Sequence, residues 1–502
     1  MRWLSSPHQL VSEVASRPIA YTAADADSND RASPMCGRVP LPVLRSVLDV
    51  LIAVYSCGLA SIVLVGGAEL GVLSFHQPEK PILALLVLVP MRAALGGPSW
   101  LPNAMHVTAG LLDTWTRVRA RIPAAVLDTL VIVSAERVAS VAVAFLANLT
   151  FEPAITRGFS MPFANAKFVE IFAAWDSGWY WDIATRGYYF RADGQSSVAF
   201  FPLYPMLMRL AAAPFGGGAQ ATWIAGIVVA FVAYVCALVA VHQLATRITG
   251  SREAARRTIL YIVVFPWSLF LARVYSESVF LLTSVLAVSA AYDRRWWRAG
   301  VWGALATLTR PNGILIALPL ALFALAERRD LRSVASRAMA LTPIPLAFAG
   351  FCAYVYALSG DPLGWMAAQS HWGYSLGHPP WQQLQRVVGA FIEHGAYDYF
   401  FATKAAPFEL LQASTALAFV ALVPTIFRRL GAAMGAYVLV SLLVPLSSNT
   451  LEGLGRYASV LFPAFIAVGS MTTTRVHEVL VMVSLVFRTL MLCFFVTWQP
   501  IY

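Results

Sequence analysis

Charge is scarce in this chain. Asp, Glu, Lys and Arg make up 12% of its 502 residues, about half the roughly 25% of a soluble domain. That excludes an ordinary water-soluble fold. Lysine stands only at Lys80, Lys167 and Lys404, and arginine carries the remaining basic charge, a bias read as the codon usage of a GC-rich bacterial genome. Cysteine is sparse too, at Cys36, Cys57, Cys236, Cys352 and Cys493. No two form a CxxC pair and none has zinc-site spacing to a histidine, so neither a disulfide framework nor a cysteine metal site follows. The N-terminal stretch lacks the apolar core of a secretory signal, and no solenoid-type repeat is visible.

Apolar residues, by contrast, make up 59% of the chain and the mean hydropathy is +0.66. Several windows run near the ~20 apolar residues that a spanning helix needs. The pattern predicts an all-α polytopic membrane protein. Residues 1–43 are polar and read as disordered. Apolar segments at 45–74 and 81–96 and an irregular linker follow. A regular region spans 121–498, with apolar segments near 125–148, 221–245, 258–292, 299–326, 339–358, 405–427, 431–447, 457–473 and 478–498. The formal net charge of +10 reads as topology, because arginines gather between apolar segments, as they do in cytoplasmic loops. The loops at about 149–220, 359–404 and 447–456 then face outward. Segment 258–292 should turn outside near Tyr275–Ser278. Segment 299–326, short for two full spans, should be a pair of broken helices turning at Arg310-Pro311-Asn312-Gly313.

The stretch FAAWDSGWYWDIATRGYYFRADGQSSVAFFPLYP, residues 172–205, sets Asp176 and Asp182 among Trp and Tyr, residues that settle at the headgroup level. Carboxylates are costly in a membrane, so acids held at its edge are functional-site candidates. Six residues turn a helix by about 120° relative to the start, so the two are not expected to form a tight pair. One proton-taking carboxylate suits transfer from a phosphate-activated sugar, whose leaving group needs no proton; glycosidases need two carboxylates. Asp176 is the candidate base, a helix cap being its structural alternative. Asp182 is a second candidate, with an i,i+4 ion pair to Arg186 as the alternative. Glu277, in VYSESVF, is read as site or cap. Arg310 suits bidentate phosphate binding or snorkelling to an interface. Arg456 and Tyr457, in GLGRYASVLFP, lie on the outward side against the arginine trend, which points to phosphate. His371, in the 359–404 loop, is either a solvated histidine or part of the phosphate group.

WDSGWYWDIATRGYY with AFFPLYPMLMRL resembles the first outward loop of the GPI mannosyltransferase II (PIG-V-like) family and its bacterial relatives. YSES, TRPNG, GDPL…QSHWG…PPW and GRYASVLFPAF follow in that family's order, over about 125–498. The resemblance implies a GT-C-type transmembrane helix bundle whose outward-facing catalytic loop carries short interfacial helices. It implies an inverting, polyprenyl-phosphate-sugar-dependent glycosyltransferase of the mannosyl type, multi-pass in the plasma membrane, with Asp176 as base. The implied partners are a polyprenyl-phosphate sugar, a glycolipid, glycan or protein acceptor, and membrane lipids, with no nucleic acid. No cofactor is expected, and the loop has no DxD pair for a divalent metal. Residues 1–120 have no counterpart and are read as an extra module or an over-extended start with Met105 among the possible true starts. A transporter or flippase of lipid-linked saccharides is the rival reading, since it too needs broken helices and cavity-lining charge.

Overall fold

The computed structural model describes residues 41–65, 68–70, 73–75, 79–95, 122–155, 162–163, 167–326, 330–402, 406–499 and 501. The chain divides into two compact units, Met1–Gly110 and Leu111–Tyr502. The expectations for residues 1–40 and for the linker to about 121 lie outside the described residues. In the first unit α1 (Leu41–Val65) and α2 (Glu79–Ala94) pair, and Arg92 donates to Asp49 at 2.7 Å. A ribbon of two three-residue antiparallel strands, Ala68–Leu70 and Leu73–Phe75, joins them. Apart from that ribbon the described residues are helical or irregular, as the apolar pattern predicts.

In the second unit, α3 (Ala124–Thr150) leads to the aromatic stretch, which forms α4 (Ser177–Arg186) and α5 (Leu203–Ala212). Long α6 (Ala219–Thr249) stops at Gly250, whose φ of +67° suits the left-handed cap that glycine accepts without strain. Ser251 then caps α7 (Arg252–Val264), accepting from the Ala254 N–H. Pro266 ends α7: the residue before it, Phe265, is extended, as sterics against the proline ring require, and the chain bends by 87° into a 3-10 turn, Pro266–Ala272. Helix α8 (Glu277–Tyr292) leads away again. The turn at 275–278 is therefore present, widened by the 3-10 segment.

The same device shapes the next segment. Helix α9 (Trp296–Thr307) stops before Arg310, which is extended ahead of Pro311; a 3-10 turn, Pro311–Ile316, then feeds α10 (Ala317–Ala326). Gly313 is required there, because a Cβ would lie 2.1 Å from the Ala306 carbonyl oxygen. Helices α11 (Leu331–Leu341) and α12 (Pro343–Ser359), short α13 (Gly364–Ser370) and α14 (Gln382–Phe401) follow. The chain continues through α15 (Ala406–Leu430), α16 (Ala432–Leu446), α17 (Leu454–Ser459), α18 (Phe462–Met471) and α19 (Thr474–Val496). Among the described residues five stretches are long and apolar enough to cross a membrane, or six if the bent 252–272 pair is one span. The hydrophobic core is built mainly from apolar residues of α6, α7, α8, α15, α16 and α18. Small residues allow close approach: at Gly300 a Cβ would clash with the Ala340 carbonyl of α11.

Candidate active site

Four sequence-distant motifs meet at Glu277. This residue opens α8 and is fully buried, so its charge needs partners. Arg456 of α17 donates from Nε to Glu277 Oε1 at 2.7 Å, and Arg310 Nη1 lies 2.9 Å from the same oxygen. Arg456 also donates from Nη1 to Asp176 Oδ2 at 2.6 Å. Arg456 thus bridges two carboxylates, and two acids and two arginines balance. The Arg310 guanidinium lies 4.8 Å from the centroid of the Tyr457 ring. The Arg456 guanidinium is flanked by Phe270 and Tyr275, at 5.0 and 4.8 Å. Arg310, which lacks an acidic neighbour in sequence, finds Glu277 across the fold.

Asp176 precedes the first residue of α4 but makes no side-chain cap hydrogen bond; its carboxylate turns to Arg456 instead. Its backbone N–H donates to the Tyr275 hydroxyl at 3.2 Å, and that hydroxyl donates to the Ala174 carbonyl at 2.9 Å. Ser276 meets the Tyr180 hydroxyl at 2.9 Å. Burial, reinforced by the Glu277 charge, pushes Tyr180 above the usual phenol range, so it stays neutral. Tyr275, Ser276 and Glu277 therefore each hold a different part of the site. Trp175 has φ +57°, a left-handed conformation uncommon away from glycine. Such strain gathers where surrounding structure holds a functional geometry in place.

Asp176, Arg310, Arg456 and Tyr457 line a cavity of about 880 Å³. Its other flank is aromatic: Trp179 stacks on Phe200 with centroids 5.6 Å apart and meets Trp372 edge-on at 5.3 Å. Asp182 lies on this wall too, with Oδ1 3.0 Å from Arg186 Nη1. Arg186 is 74% exposed, so that pair is weakly held. The i,i+4 alternative for Asp182 is realised, and the residue still faces the cavity.

Two of the residues expected at the phosphate lie off the cavity wall. Glu277 is fully buried, is not part of the cavity wall and meets Arg310 and Arg456 through Oε1, so it acts on a ligand only through them. His371 is exposed and is not among the residues of the cavity wall. A tight turn at 371–373, closed by Gly373 at φ +80°, leaves it in solvent while its neighbour Trp372 reaches the wall. One acid of the wall escaped the sequence reading: Glu452, in the short link between α16 and α17. Its position in a predicted outward loop, four residues before Arg456, was the available signal. Among the described residues no group of three or more His, Cys, Asp or Glu side chains is placed to hold a metal ion.

Residues 129–357 match the model of the mannosyltransferase (PIG-V) family. Over that stretch, a little under half of its length, the chain is similar to the PIG-V mannosyltransferases. Over 147 residues it is 27% identical to GPI alpha-1,6-mannosyltransferase 2 of Cricetulus griseus; the alignment covers 28% of this chain and 29% of that protein. Among solved structures, the Archaeoglobus fulgidus oligosaccharyltransferase tethered with an acceptor peptide is similar with a TM-score of 0.37 at 12% identity, over 72% of this chain and 55% of that one. The oligosaccharyltransferase AglB of the same organism, in complex with an inhibitory peptide and a dolichol-phosphate, gives 0.37 at 14% identity, over 73% and 56%. The chain thus spans just over half the length of these structures, a likeness too loose to carry residue correspondences. Of the four charged residues that meet around Glu277, the family match contains Glu277, Arg310 and Asp176; Arg456 lies beyond it.

Proposed function

We propose that this protein is an inverting glycosyltransferase of the mannosyl type, with a GT-C-type bundle, taking its sugar from a polyprenyl-phosphate donor at the outer membrane face. One observation carries the reading: a carboxylate, Asp176, shares a large cavity with Arg310 and Arg456, whose guanidinium groups keep N–H donors unused by protein. Among the described residues, Arg310 Nε and Nη2 and Arg456 Nη2 make no hydrogen bond. Guanidinium groups are suited to phosphate oxygens.

The arrangement supports a single displacement. Asp176 takes the proton of an acceptor hydroxyl as its oxygen forms a bond to the anomeric carbon. The bond from that carbon to the phosphate oxygen breaks, and the oxygen leaves with the electron pair. The donor phosphate thereby gains one negative charge. Asp176 becomes neutral in the same step and loosens its hold on Arg456. A cluster that was balanced before transfer is left with one positive charge in excess, beside the charge that develops on the phosphate. Stabilising developing charge with preset donors is commonly the largest contribution to catalysis.

Two measurements test this. Purified protein in nanodiscs should transfer mannose from a synthetic polyprenyl-phosphate mannose, and the Asp176→Asn form should bind donor without transferring. A reporter active only outside the cell should give signal when fused near residue 190 and none near 253; the reverse would place the cavity on the wrong side for such a donor. Donor movement across the bilayer without any transfer would favour the flippase reading.

A further inference from the structure

Glu452 differs from every other carboxyl at the cavity. Asp176 is paired with Arg456, and Asp182 lies beside Arg186. The Glu452 side chain makes no hydrogen bond or ion pair among the described residues, yet it is half-buried on the same wall. Only its backbone is tied down: the N–H donates to Thr450 Oγ1 at 3.0 Å, and the carbonyl accepts from the Tyr374 hydroxyl at 3.1 Å. The groups facing it are Asp176 ahead of α4, Arg456 in α17 and Tyr374 in the 371–381 loop.

We infer that Glu452 is the proton outlet of the transfer site: it receives the proton that Asp176 takes from the acceptor and passes it to water. The inference rests on the glycosyltransferase reading above. It follows from what Asp176 must do between turnovers. A protonated Asp176 cannot act again and cannot restore its pair with Arg456. A carboxylate on the same wall that is free of arginine gives that proton a route away from the reacting atoms, and Glu452 is the carboxyl there with no arginine partner among the described residues. Direction agrees with geometry. Burial, with the Asp176 charge added and Arg456 opposing, raises the Glu452 carboxyl to about 7. It can therefore both take up a proton and release it near neutral pH. No oxidant or co-reactant is involved; one proton moves from acceptor oxygen to Asp176, to Glu452, to water.

The sign of the pH dependence follows. Below about 7 Glu452 is already protonated and cannot accept, so turnover should fall as pH drops through that value. Glu452→Gln keeps size and both backbone hydrogen bonds but cannot take a proton. The experiment uses membranes from a cell lacking its own copy of the gene, which supply native acceptors, with the full chain restored and labelled polyprenyl-phosphate mannose added. Wild type should show a rate step near neutrality. Glu452→Gln should lose that step and run roughly tenfold slower at pH 8, less than the ~10²–10⁴ of a direct base, with donor affinity unchanged. Glu452→Asp should restore most of the rate with the step moved to lower pH. A Glu452→Gln profile that still steps where wild type does would overturn the outlet. Transfer absent even from wild type would instead remove the function on which it depends.

Discussion

Two buried ionic clusters in this molecule use the same chemistry to different ends. In one, Glu136 accepts hydrogen bonds from Arg137 and Ser140, at 2.5 Å each, and from Arg488. Arg488 also donates to Ser140 at 2.8 Å. This knot ties α3 to α19 in the middle of two apolar helices, its Glu136 and Arg488 side chains are 7% and 3% exposed, and no member lines the cavity. In the other, Asp176 and Arg456 are 25% and 19% exposed and face about 880 Å³ of open space. A buried ion pair therefore does not by itself mark a site. What separates the two is hydrogen-bonding capacity left over where a ligand can reach it.

Mutations can break that contrast. The largest effect on transfer is expected from Asp176→Asn, a loss of ~10²–10⁴-fold with unfolding temperature and donor binding retained, since general-base chemistry is typically worth that much. Surviving transfer would make the open cluster as structural as the closed one. Arg488→Ala should act the opposite way. It strips a partner from a buried carboxylate, a change worth roughly 3–5 kcal/mol of stability, seen as a lower melting temperature in detergent. The protein that remains folded should transfer at the wild-type rate per mole. Arg310→Ala lies between. Losing charge-assisted hydrogen bonds to a phosphate should weaken donor binding by about tenfold or more, on the scale of ~1.5–3 kcal/mol per such bond. Asp182→Asn should be mild, because it breaks an ion pair whose arginine is largely in water, worth about 0–1 kcal/mol. A loss comparable to Asp176→Asn would promote Asp182 to a second proton-handling carboxylate.

Much of this was legible in the sequence. Buried charge is costly enough that Asp176, Glu277, Arg310 and Arg456 stand out from apolar surroundings. The breaks at Phe265-Pro266 and Arg310-Pro311 follow from local sterics. The pairings did not show, because Glu277, Arg310 and Arg456 are joined through packing of three separate segments and no short-range spacing encodes that. Asp176 and Asp182 share a wall despite their angular offset, since a cavity of this size receives side chains from a wide arc of α4. The exposure of His371 was not legible, because the 371–373 turn that sends Trp372 rather than His371 to the wall is a local backbone conformation. Glu452 was passed over because its distinction is the absence of a partner, which only three-dimensional neighbours can reveal. The Glu136–Arg488 knot was missed for a related reason, its halves standing at opposite ends of the 121–498 region.

The distance along the chain between Asp176 and Arg456 also sets a clock on biosynthesis. The acid emerges from the ribosome long before the arginine that seats it, and Glu277 and Arg310 emerge in between. Until α17 has been made and inserted, Glu277 has only Arg310 to neutralise it, and the Asp176 carboxylate has no anchor. A nascent chain can therefore have made most of the helices that precede α17 and still lack the arginine that joins the two carboxylates, so on the proposed reading transfer cannot begin before that helix is in place.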